Sequence, residues 1–151
     1  MEEFVQKAFQ KVLIIAVAII YGCAMFAGMI FYLIKQNSAS SVAGIDIFRQ
    51  VAWVLGACSL TLSFVVKQKI LSSGPIILGD REQKLKRQVA KLTTCTIITF
   101  ALCDGAVLFG FIVAFLSKNI QDMYFPLGLG VLGFGAHFPK QDEWKKYIEQ
   151  N

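Results

Sequence analysis

Asp104 is the only charged side chain between Thr94 and Ser117, an apolar stretch long enough to cross a bilayer, and it sits near the middle of that stretch. A carboxylate at that depth costs on the order of 3 kcal/mol to insert, and residues that carry this cost by default mark a proton or ion site. The bland counterpart is a lone buried acid with one hydrogen bond and no further role. Other chemistry is sparse. The sequence has no Ser/His/Asp set, no phosphate loop and no paired carboxylates at membrane depth, so an enzyme is not expected. The single histidine, His137, reads as a side chain at the membrane edge beside Pro139. Cys23, Cys58, Cys95 and Cys103 all lie in apolar runs without metal-like spacing, so they read as small packing residues, with no metal and no cofactor.

The elements that must hold Asp104 are helices in lipid. Apolar residues make up 56% of the 151-residue chain, and its apolar runs are longer than a soluble core helix needs. Four runs predict spans, at about 12–34, 47–66, 94–117 and 123–138. The fourth, with roughly sixteen residues, is about 24 Å long as a helix and short for a ~30 Å core. Pro126 is expected in its first turn, where a missing amide costs nothing. Arg49 is expected to snorkel from one end of the second span. The first run exceeds the 7–15 apolar residues usual in a signal peptide, so it is expected to be retained. The expected fold is an all-α integral membrane four-helix bundle, a single domain over 1–151 with a cytoplasmic loop at 67–93 and a cytoplasmic tail at 139–151. Within that loop, Asp80 is expected to cap a helix that runs from Arg81 straight into the third span.

Charge sets the orientation. With four spans, Lys7, Lys11, Lys67, Lys69, Arg81, Lys84, Lys86, Arg87, Lys91, Lys140, Lys145 and Lys146 share one side, which is twelve of the 15 basic residues. Lys35, Arg49 and Lys118 remain on the other. The positive-inside rule then places both termini in the cytoplasm. A three-span topology would send the basic tail outside, so the same rule favours a fourth span. The net charge of +5 is accounted for by topology, and nucleic-acid binding is not expected. Contact with anionic membrane lipids is expected along the basic loop.

The first and third spans repeat. At a constant offset of 83, seven of 23 positions match, among them Ile14/Ile97, Ala18/Ala101, Gly22/Gly105 and Phe26/Phe109. This pattern predicts a duplicated helical hairpin. Tyr21 stands where the second copy has Asp104, so only one copy carries the ionisable group. On the third span, Cys95, Thr99, Cys103, Ala106, Gly110 and Ala114 recur at steps of three or four and form a close-packing seam. Asp104 lies on another side, with Ile97, Phe100, Leu108, Phe111 and Phe115, and is expected to face lipid or a neighbouring subunit. In the fourth span Gly128 and Gly135 fall on one side and Gly130 and Gly133 roughly opposite, so the helix is expected to be gripped from both sides, as in an oligomer.

The stretch from Ala101 to Leu116, ALCDGAVLFGFIVAFL, resembles the carboxylate-bearing helix of the proteolipid c subunits of rotary ATP synthases and ATPases. There an Ala-Leu pair precedes the ion-binding carboxylate and an aromatic-Gly pair leads into an apolar run. The run GLGVLGFGA is similar to that family's glycine-rich helix, although here it follows the carboxylate helix and does not precede it. The resemblance implies an oligomeric subunit that binds or translocates a proton or cation at Asp104. The four-helix plan, with His137-Phe138-Pro139 and Trp144 in the tail, also resembles an uncharacterised group of bacterial membrane proteins, which implies a bacterial inner membrane. The other expectation kept open is a small accessory or structural subunit that packs against a larger membrane complex and has no transport of its own.

Overall fold

A computed structural model describes residues 2–36, 44–73 and 81–150. The expected cap at Asp80 and the loop between the first two spans lie outside these residues. Five helices follow one another: α1 (Glu2–Gln36), α2 (Ile45–Ser72), α3 (Arg81–Ser117), α4 (Gln121–His137) and α5 (Gln141–Gln150). Four helices were expected; the fifth forms in the tail. Its apolar residues Trp144, Tyr147 and Ile148 recur at steps of three and four and so share one face.

Helices α1, α2 and α3 are each long and apolar enough to cross a membrane. α1 and α3 have 35 and 37 residues, or about 52 and 55 Å at 1.5 Å per residue. Each therefore extends roughly 20 Å beyond a ~30 Å hydrocarbon core. α4, with 17 residues, is about 25 Å long. It begins at Gln121, two residues earlier than expected, so Pro126 lies in its second turn and not its first.

α3 is the central element, and α1, α2, α4 and α5 all pack on it. α1 runs parallel to α3, as Cys23 against Asp104 and Phe26 against Phe111 require. α2 and α4 run antiparallel to α3 and parallel to each other. Arg49 meets Asp122, Trp53 meets Phe125 and Ser63 meets His137, pairings 72 to 74 residues apart. Direction thus alternates along the chain. α1 and α2 hardly touch, whereas α3 and α4 pack along their length. The repeat in sequence between α1 and α3 does not produce two equivalent hairpins.

The turn between α3 and α4 is tight. Lys118 adopts a left-handed backbone (φ 56°), which ends α3. The Asn119 amide donates to Ser117 Oγ, and the Gln121 amide donates to Asn119 Oδ1. At the opposite end of the molecule, α5 closes a second apolar layer. Trp144 packs edge-on against Phe9 of α1 with ring centroids 5.5 Å apart, and the layer includes Val12, Leu85, Val89 and Leu92. Lys91 and Tyr147 both donate to the Leu71 carbonyl. The start of α1, the end of α2, the start of α3 and α5 therefore share one end, where most of the basic residues lie.

Candidate ion-binding site

α3 carries different chemistry on its two sides. The side toward α2 and α4 holds Cys95, Thr99, Cys103, Ala106, Gly110 and Ala114, all buried. Small residues there bring backbones together. A carbon added at Gly56 of α2 would lie 3.6 Å from the Ala106 carbonyl. One added at Gly110 would stand 2.5 Å from the Pro126 ring, and one at Gly133 2.5 Å from Cys103 Sγ. Gly130 lies directly against Val107. Gly128 and Gly135 have nothing within 4 Å and are exposed. α4 is thus gripped on the Gly130 and Gly133 side and open on the other, not held from both sides within one chain.

The other side of α3 carries Asp104. The sequence placed it on a bulky face turned to lipid or another subunit. The structure divides that face: Ile97, Leu108 and Phe115 are exposed, but Phe111 is buried against Phe26 of α1 and Phe100 against Phe134 of α4. α1 fits because Ala16 and Cys23, seven residues apart, present little bulk to α3. Asp104 is half-buried, and Cys23 Sγ donates to its Oδ1 at 2.7 Å. Phe26 and Phe111 stack one turn further along, with centroids 6.3 Å apart. Among the described residues no basic side chain pairs with Asp104. A thiol is a weak donor, so the carboxyl keeps acceptor capacity that the chain itself does not use.

A second buried carboxylate is handled differently. Asp122, in the first turn of α4, is 5% exposed. Arg49 Nη2 donates to its Oδ2 at 2.9 Å and Arg49 Nε lies 2.8 Å from its Oδ1. Nε itself makes no hydrogen bond, so the contact is one charge-assisted hydrogen bond within a close ion pair. Arg49 also reaches Asp46 at 2.7 Å. At this end of the bundle it fastens α2 to α4. Asp122 was not singled out in the sequence because it borders an apolar run and does not interrupt one. Among these two acids, only Asp104 lacks an internal cation.

His137, at the end of α4, is buried within the chain. It is 4% exposed, its Nε2 lies 2.8 Å from Ser63 Oγ, and its ring packs on Phe64. Ser63 Oγ in turn donates to the Leu60 carbonyl at 2.6 Å, and Cys103 Sγ lies 3.9 Å from that hydroxyl. This cluster joins α2, α3 and α4 across the face opposite Asp104. No group of His, Cys, Asp and Glu suited to a metal occurs among the described residues. No family model, curated protein or solved structure matches the chain.

Proposed function

We propose that the protein is a small integral membrane subunit that binds or translocates a proton or cation at Asp104, and that it works as an oligomer. The observation that carries this reading is the contrast between Asp104 and Asp122. Asp122 is paired with Arg49, whereas Asp104 has one weak thiol donor and, among the described residues, no cation. A carboxyl removed from water needs compensation, and a bound proton or small cation provides it. The resemblance of the Asp104 helix to the proteolipid c subunits supports the same reading.

Oligomerisation is supported by how little of α1 and α2 the chain covers. Tyr21, Met25, Phe26 and Met29 of α1 and Val51, Val54 and Leu55 of α2 are exposed, and some of this surface serves contacts with further copies or other membrane subunits. Four spans, with both termini in the cytoplasm of a bacterium, agree with the alternating helix directions and with the basic residues at one end. Neither enzymatic chemistry nor a cofactor is part of this proposal.

The test is flux through liposomes containing the purified protein. Asp104→Asn is expected to fold and to abolish proton- or cation-linked activity, while Asp104→Glu retains part of it. Wild-type activity in Asp104→Asn would refute the ion site. A protein that conducts nothing in any form, yet co-purifies with other membrane chains at a fixed ratio, would be an accessory subunit instead.

A further inference from the structure

α4 ends where His137 meets Ser63 of α2, one turn past Cys103 of α3, while α2 runs on to Ser72 and α3 begins as early as Arg81. The missing turn leaves a cavity of about 90 Å³ between α2, α3 and the α4–α5 junction. Its walls include Lys67, Cys95, Thr96, Thr99 and His137. Three observations about it converge. First, His137 Nδ1 is buried without a partner, an arrangement rare in folded proteins. Second, Lys67 lies close enough to interact electrostatically with both His137 and Cys95, and among the described residues no carboxylate pairs with it. Third, the cavity adjoins the end of the molecule where most of the basic residues lie, the level at which the proposed topology puts cytoplasmic headgroups.

We propose that this cavity is an oxyanion site, in which Lys67 and His137 together hold one phosphate group. The hydrogen bonds close consistently. Ser63 gives its proton to the Leu60 carbonyl, so His137 Nε2–H donates to Ser63 Oγ. Nδ1 then donates to the anion once it takes up a second proton, which a phosphate monoanion delivers as it binds. Other charges facing the site do not cancel Lys67. Glu143 is 3.4 Å from Lys140, and Lys91 is turned to the Leu71 and Ser73 carbonyls and the Tyr147 ring. The end of α4 contributes only about half a negative charge. The Thr96 and Thr99 hydroxyls donate to helix carbonyls, so the anion is held by the Lys67 and His137 nitrogens. A volume of 90 Å³ admits a phosphate group or about three waters. The phosphate can belong to a lipid headgroup or be free in solution. The site is separate from Asp104, which lies across α3 on the α1 side.

Because His137 is the only histidine, isotope-labelled histidine reports this site alone in an NMR spectrum. The protein is studied in dodecyl maltoside, which has no phosphate, at constant ionic strength. Inorganic phosphate is added in one arm and phosphatidic acid in another, with sodium chloride as control. Protonation of Nδ1 on adding either phosphate source, and not chloride, is the expected result. A response to phosphatidic acid alone identifies a headgroup site, and a response to inorganic phosphate identifies one open to water. Lys67→Gln should weaken the response roughly tenfold or more, the loss of one charge-assisted hydrogen bond. No change with either source, or a response indifferent to Lys67→Gln, would overturn the proposal and leave a water-filled cavity.

Discussion

Gly110→Ala is the sharpest test of how α3 and α4 are held together. The added carbon would stand 2.5 Å from Cβ and 2.8 Å from Cγ of Pro126, against an optimum near 3.5–4.0 Å. Neither side can yield locally. The proline ring is tied to its own backbone, and Gly110 sits in the middle of a rigid helix. The two helices must separate by about 1 Å, which loosens the neighbouring contacts at Gly130 and Gly133. Overpacking of this size costs about 1–3 kcal/mol. Replacing glycine by alanine within a helix returns about 1 kcal/mol. Gly128→Ala, on the open side of α4, collects that gain and meets nothing within 4 Å. The propensity gain cancels between the two variants, so Gly110→Ala should be less stable than Gly128→Ala by about 1–3 kcal/mol. Unfolding in maltoside by increasing dodecyl sulfate measures this difference. Trp53 fluorescence follows it directly, since Trp53 packs on Phe125, beside Pro126. Equal stability of the two variants would mean that α3 and α4 are not in close contact at Gly110.

Other expectations follow from the same packing. Trp144→Ala removes the centre of the layer under α5, a loss of about 3–5 kcal/mol for a large buried aromatic; limited trypsin should then cut faster at Lys145 and Lys146 while α1 to α4 stay intact. Arg49→Met and Asp122→Leu should each destabilise the protein, and the double variant should be more stable than either single one, because a lone buried charge is worse than none; additive losses would deny the pairing. A cysteine placed at Asp46 should react with an impermeant maleimide from outside the cell and one placed at Gln83 only after permeabilisation; the reverse pattern would invert the topology.

The long helices were legible because their apolar runs reach about twenty residues, a signal local to each segment. Asp104 was legible for the same reason, as a charge that interrupts such a run. Its surroundings were not. A helical wheel gives the face of a residue but not which helix covers that face, and α1 reaches Asp104 through Cys23, 81 residues away. Arg49 with Asp122 and Ser63 with His137 are separated by 73 and 74 residues, and single-sequence periodicity contains no term for such pairs. The seam on α3 was readable from its small residues, since close approach requires them wherever the partner comes from. α5 escaped notice although Trp144, Tyr147 and Ile148 have helical spacing, because seven of its ten residues are polar and a short polar run after a proline reads as a solvated tail.

The central claim, that Asp104 offers a free carboxyl to a proton or cation, is tested most directly by a hydrophobic carbodiimide. The reagent needs a protonated carboxyl in an apolar setting, which it converts to an N-acylurea that adds one reagent mass. Intact-mass and peptide analysis of the purified protein should find one adduct, located at Asp104 and missing from Asp104→Asn, with Asp122 protected by Arg49. An unmodified Asp104 under conditions that label other carboxyls, or an equal adduct in Asp104→Asn, would contradict the account.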